Sequence, residues 1–90
     1  MSNALRVHEN DNVAIVTQTI TRGNPVIVGG VHVCDTLEEI RSGHKVALAV
    51  IPTGGKVFRY GEAIVEATRN IAQGEWVHVH NTQPLPGTRS

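Results

Sequence analysis

The pattern Ile-x-x-Gly-x-x-Val occurs four times in this chain, as Ile20/Gly23/Val26, Ile40/Gly43/Val46, Ile51/Gly54/Val57 and Ile71/Gly74/Val77. The isoleucines stand 20, 11 and 20 residues apart, so the copies group as two similar units. A solenoid requires a constant period, and this spacing is not constant, so the pattern predicts a pseudo-duplicated β architecture. In each copy the expected arrangement is a buried Ile at the end of a strand or turn, a reversal in which Gly supplies positive φ, and a new strand starting on Val. The excess of Val and Ile over Leu points the same way, because β-branched side chains suit a pleated, half-buried surface.

Between the copies the spacing predicts strands over Val13 to Thr17, Pro25 to Val28 (ended by Gly29-Gly30), Val31 to Val33, Val57 to Tyr60 (ended by Gly61) and Trp76 to His80. Val46-Ala47-Leu48-Ala49-Val50 is apolar on both faces, as a central strand should be. Glu62 to Thr68 suits either a strand or a short helix, with strand preferred at Ile64 and Val65. Asp35-Thr36-Leu37-Glu38 has capping-box spacing for one helical turn. The polar, small start over residues 1–4 is read as a native extension or tag scar without structural weight, and residues 5–82 as the domain. Residues 83–90, with Pro84 and Pro86, are read as a linker or frayed end that cannot enter a sheet interior.

Eight Lys+Arg balance eight Asp+Glu in 90 residues, which removes the cationic surplus that general nucleic-acid binding requires. The same balance gives no pull toward acidic membranes. A domain of this size buries only about 60 to 65% of its unfolded surface, so a partner or self-association is expected to support it. The single Cys34 has no internal disulfide partner and the start is not a signal peptide, which together suggest a cytoplasmic protein.

His78-Val79-His80 places two imidazoles on one face of a strand, about 6.6 Å apart at Cα for a rise of about 3.3 Å per residue, with Val77 and Val79 facing the core. Such a pair suits acid/base work or, with a third ligand, a first-row metal; two solvent-facing strand positions are the plain alternative. His44 and Lys45 open the central strand on opposite faces, where a lysine could hold a carboxylate or simply be solvated. Phe58 and Tyr60 share a face, with the Tyr60 hydroxyl expected at the rim. Cys34 reads as a core filler beside His32, and Gly54-Gly55-Lys56 lacks the pattern of a phosphate loop.

Four ordered blocks, Asp11 to Ala14, Gly43 to Leu48, Tyr60 to Ile64 and Ile71 to Asn81, resemble the N-terminal SAF domain of the altronate/galactarate dehydratase family. The resemblance covers about residues 5 to 82 and implies an all-β β-clip fold with at most one or two short helical turns. It departs from the family pattern at Gly55, where Glu is usual, at Val65, where Gly is usual, and at Val79, where Thr is common. Members are sugar-acid hydro-lyases, often dependent on a divalent metal such as iron or manganese, in which this domain is fused to, or works beside, a large catalytic chain.

The resemblance therefore implies a small subunit or N-terminal domain, with metal held mainly by the large partner and an anionic sugar acid as substrate. His78 and His80 become candidate catalytic residues, with metal binding as a second role, and His44, Lys45, Tyr60 and Asn81 candidate substrate contacts. Three rival readings remain: a stand-alone carbohydrate- or carboxylate-binding module, a small subunit of a sulfolactate sulfo-lyase-like enzyme, and an oligomerisation domain. Near pH 6 the five histidines would make the chain net positive, partly where an anion would dock.

Overall fold

The computed structural model describes residues 2–86, and they form nine short strands and no helix. The strands are β1 (Ala4–Leu5), β2 (Val13–Val16), β3 (Pro25–Val28), β4 (Val31–Asp35), β5 (Lys45–Ala47), β6 (Lys56–Arg59), β7 (Glu62–Ala67), β8 (Trp76–Val77) and β9 (Thr82–Pro84). Six of them make a curled sheet in the order β4-β3-β1-β2-β5-β8, and the other three a sheet in the order β6-β7-β9. The all-β, β-clip-like expectation holds.

The repeat is what organises this topology. All four Ile and all four Val of the pattern are buried. The four Gly have φ of 83°, 90°, 79° and 88°, a region that side-chain-bearing residues enter only at a cost. Ile20 bridges Ile40 and Ile51 bridges Ile71, so the two copies in each unit close on each other. Burying each such side chain contributes about 1.5–3 kcal/mol, enough for the pattern to fix the pairing.

Positions 31 residues apart are structural equivalents, as Ile20 and Ile51 or Val26 and Val57 show. The β3–β4 hairpin carries a bulge between Val26 and Ile27, and the β6–β7 hairpin carries one between Val57 and Phe58. Each bulge is satisfied by an asparagine. Asn3 donates to the Pro25 carbonyl (2.9 Å) and accepts from the Ile27 amide (2.8 Å); Asn12 does the same with Lys56 (2.9 Å) and Phe58 (2.8 Å). Ser2 Oγ accepts from the Gly30 amide, as Asp11 accepts from Gly61. Ser2-Asn3-Ala4 thus matches Asp11-Asn12-Val13. The opening residues, expected to carry no structural weight, anchor the first hairpin, and Ala4 lies in the core.

The cores lie on the two faces of the β2–β5 pair. Ala14, Val16, Val46 and Leu48 belong to one, with Trp76 packed against it, and Val13, Ala47, Val57 and Val77 to the other. The central-strand reading of Val46 to Val50 holds for Val46 and Ala47 only, because β5 ends at Ala47, Leu48 is buried beyond the strand and Val50 is exposed.

Three further readings need correction. Asp35 to Glu38 makes no helical turn: Asp35 ends β4, and the buried Thr36 hydroxyl bonds the Thr21 carbonyl (2.9 Å) and the Gly23 amide (3.1 Å) instead. The last strand does not reach His80, because β8 stops at Val77 and the chain turns over residues 78–81. Gln83 and Pro84 join β9 at the edge of the second sheet, where the missing proline donor is tolerated. Of the expected tail, residues 87–90 lie outside the described residues.

Candidate functional site

The turn after β8 gathers the histidines. Asn81 is wholly buried: its Oδ1 accepts from the His78 amide (2.9 Å), and its Nδ2 donates to the Trp76 carbonyl (2.8 Å) and to Glu75 Oε2 (3.3 Å). The Thr82 hydroxyl donates to the His78 carbonyl (2.8 Å). With its amide used inside the protein, Asn81 shapes the turn. Val79 is 79% exposed rather than core-facing, because the turn replaces the strand alternation assumed for it.

Four rings meet as a result. His78 stacks on the Trp76 indole with centroids 5.0 Å apart and planes 11° from parallel, and His80 lies 4.8 Å from the same indole at 39°. His44, entering β5 from the neighbouring strand, meets Trp76 and His78 edge-on, each at 5.4 Å. Glu38 fixes the indole's strand by accepting the Trp76 amide (3.0 Å).

Beside this cluster opens a cavity of about 340 Å³ lined by Glu38, Glu39, Arg41, His44 and Trp76. Trp76 Nε1 is buried and donates to no protein group. An indole N–H kept from water without an acceptor is uncommon.

Among the described residues no three His, Cys, Asp or Glu side chains converge as a metal cage. His78 and His80 meet the indole through their ring faces, and a metal held by their nitrogens would need a further donor from outside the described residues.

The other sequence candidates lie elsewhere. Lys45 starts β5 beside the second core, where burial and then the Arg59 charge hold its ammonium below the usual lysine range. Tyr60 sits at the β6–β7 turn, exposed, with the Arg59 guanidinium carbon 5.0 Å from its ring centroid. His44 and Lys45 thus serve opposite faces, and the structure joins His44 to His78 and, through Trp76, to His80.

Sequence reading did not name Trp76, Glu38, Glu39 or Arg41 as site residues. Trp76 alone had a local signal, since it shares the i, i+2 spacing of His78 and His80.

A small all-β module built from two matched hairpin units, with one imidazole-rich groove, is the class these features define. Residues 2–85 match the model of the altronate/galactarate dehydratase SAF domain, and the chain belongs to that family. It is 34% identical over 83 residues to an altronate dehydratase of Bacillus subtilis (strain 168), covering 92% of this chain and 16% of that protein. It is 41% identical over 75 residues to the galactarate dehydratase (L-threo-forming) of Escherichia coli (strain K12), covering 81% of this chain and 14% of that one. An altronate dehydratase of the same strain is 39% identical over 80 residues, covering 88% and 16%. The chain thus spans about a sixth or less of each of these relatives. No helix of the described residues is long and apolar enough to cross a membrane.

Proposed function

We propose that this chain is the SAF-type part of a sugar-acid hydro-lyase, acting beside a large catalytic chain and presenting the His44, Trp76, His78 and His80 groove to the substrate or to the mouth of the large chain's site. The observation that carries the reading is the coverage: a two-core fold corresponds to only 14% to 16% of dehydratases whose names state the activity. Dehydration removes a proton α to a carboxylate and expels a β-hydroxyl, so it needs a base, an acid and a cation for the developing enediolate. The groove supplies imidazoles and the Arg41 cation; the remaining chemistry belongs to the large chain.

The test is co-expression with a large dehydratase chain that lacks this domain, followed by co-purification and assay of altronate and galactarate dehydration. A stable complex is expected, inactive when either part is omitted. His78→Ala and His80→Ala should lower turnover by about a hundredfold or more, the range of a lost general acid or base. No complex, or unchanged turnover in both variants, would sink the proposal.

A further inference from the structure

The two hairpin units match except at one edge. β4 in the first unit and β7 in the second are equivalents 31 residues apart, each with an extra residue at its bulge, Val33 and Ile64. β7 lies between β6 and β9, and β9 pairs with it antiparallel at Val65, Glu66 and Ala67. β4 ends its sheet, with β3 on one side and no strand on the other. The chain begins to cover β4 as it covers β7 and then departs. Gly74 accepts the Leu37 amide (3.0 Å), just as Asn81, ahead of β9, accepts the Thr68 amide (2.9 Å). From Asn81 the chain runs on along β7, whereas from Gly74, which lies against the Asp35 carbonyl, it turns away to form β8 on β5. Back from Cys34 to Val31, β4 therefore has no strand on its outer side among the described residues.

The side chains follow the same difference. Ile64 and Val65 of β7 are half-buried and pack against the second core, but Val33 is 36% and Val31 63% exposed. An edge strand offers free amides and carbonyls to another chain, and lysine or proline along the edge is a common guard. The second sheet ends on such a guard, Pro84 in β9, while Val31-His32-Val33-Cys34 holds neither residue. The bulge at Val33 twists this edge without closing it, since β7 carries the matching bulge and still takes β9. Two copies meeting only along so short an edge would bury well under the roughly 1,200 Å² of a stable interface, so self-pairing would not hold. A segment of a chain already docked alongside meets no such limit, because its effective concentration is high. β9, only three residues long, is held on β7 in that way.

We propose that the outer edge of β4 is completed by an extended segment of the large dehydratase chain, added antiparallel to β4 as β9 is added to β7. Main-chain hydrogen bonds supply the attachment, and apolar side chains of the segment cover Val31 and Val33. The proposal rests on the reading of this chain as the companion of a large dehydratase chain.

The experiment is amide hydrogen–deuterium exchange on the full chain, free and in complex with a large dehydratase chain that lacks this domain. In the free chain the amides of Val31 to Cys34 that face away from β3 should exchange quickly, and in the complex they should slow by about tenfold or more. Val33→Pro removes a main-chain donor from the edge, and Val31→Lys sets a charge on it; each should weaken the complex by about tenfold. Val31 is exposed, so Val31→Lys keeps the test decisive if Val33→Pro fails to fold. A complex in which these amides exchange as in the free chain, or which both variants form as well as the parent does, overturns the proposal and leaves the dehydratase reading standing. Absence of any complex overturns that reading and the proposal with it. Slow exchange at β4 in the chain alone, together with a doubled mass by light scattering, assigns the edge to a second copy and overturns the proposal as well.

Discussion

At the scale of single residues, the structure turns on polar side chains that look unremarkable in the sequence. Asp11 is the clearest. Burial pushes its carboxyl up, but the amides of Gly61, His8 and Tyr60, aided by the His8 charge, outweigh that and leave it below the ordinary value of 3.8. A carboxyl depressed on folding stabilises the fold fully above its unfolded value and loses that contribution as pH falls through the folded one. Asp11→Asn should therefore unfold at a lower temperature near neutrality, since an amide cannot accept from three donors. The gap from the parent, followed by circular dichroism, should narrow as pH drops below 3.8; a gap that stays constant would refute the account. The sequence shows Asp11 in a turn-like run, but its partners at positions 60 and 61 are brought there only by the second hairpin.

At the scale of elements, the four glycines of the repeat look alike in sequence and in φ, but not in surroundings. A Cβ on Gly23, Gly43 or Gly54 would meet nothing within 4 Å, whereas one on Gly74 would lie 2.2 Å from the Asp35 carbonyl oxygen. Gly43→Ala should cost about 1–2 kcal/mol from backbone strain alone. Gly74→Ala adds a clash with backbone that cannot rotate away, and should cost about 3 kcal/mol or more. Denaturant unfolding of the two variants checks this, and equal losses would mean the β4 and β8 segments are not in the contact described. Gly74 also accepts the Leu37 amide at 3.0 Å, so its loop ties the second unit to the first. The repeat predicted the reversal at this glycine but not the close approach, because the approach depends on how the units pack.

At the scale of the whole molecule, β1 is only two residues long but joins β2 on one side and β3 on the other, so it carries the β3–β4 hairpin into the sheet. Deleting residues 1–5 should remove that link, the bulge bond of Asn3 and the buried Ala4 together, and a domain with roughly 5–15 kcal/mol of stability has little to spare. Deleting residues 82–90 removes only the edge strand β9 among the described residues and should be milder. Limited proteolysis should show early cutting at the first hairpin in the first case only; equal sensitivity would place the weight of the fold elsewhere.

The amino-acid sequence by itself determined the duplicated architecture, the buried Ile and Val of each copy, the reversals at glycine and the family, because these rest on local backbone preference and on apolar spacing repeated along the chain. Tertiary structure decided that Trp76 collects three imidazoles and that Asn81 is a buried brace. Those arrangements join residues from strands distant in sequence, and their distances follow from how the two units close around two cores, which no local pattern encodes.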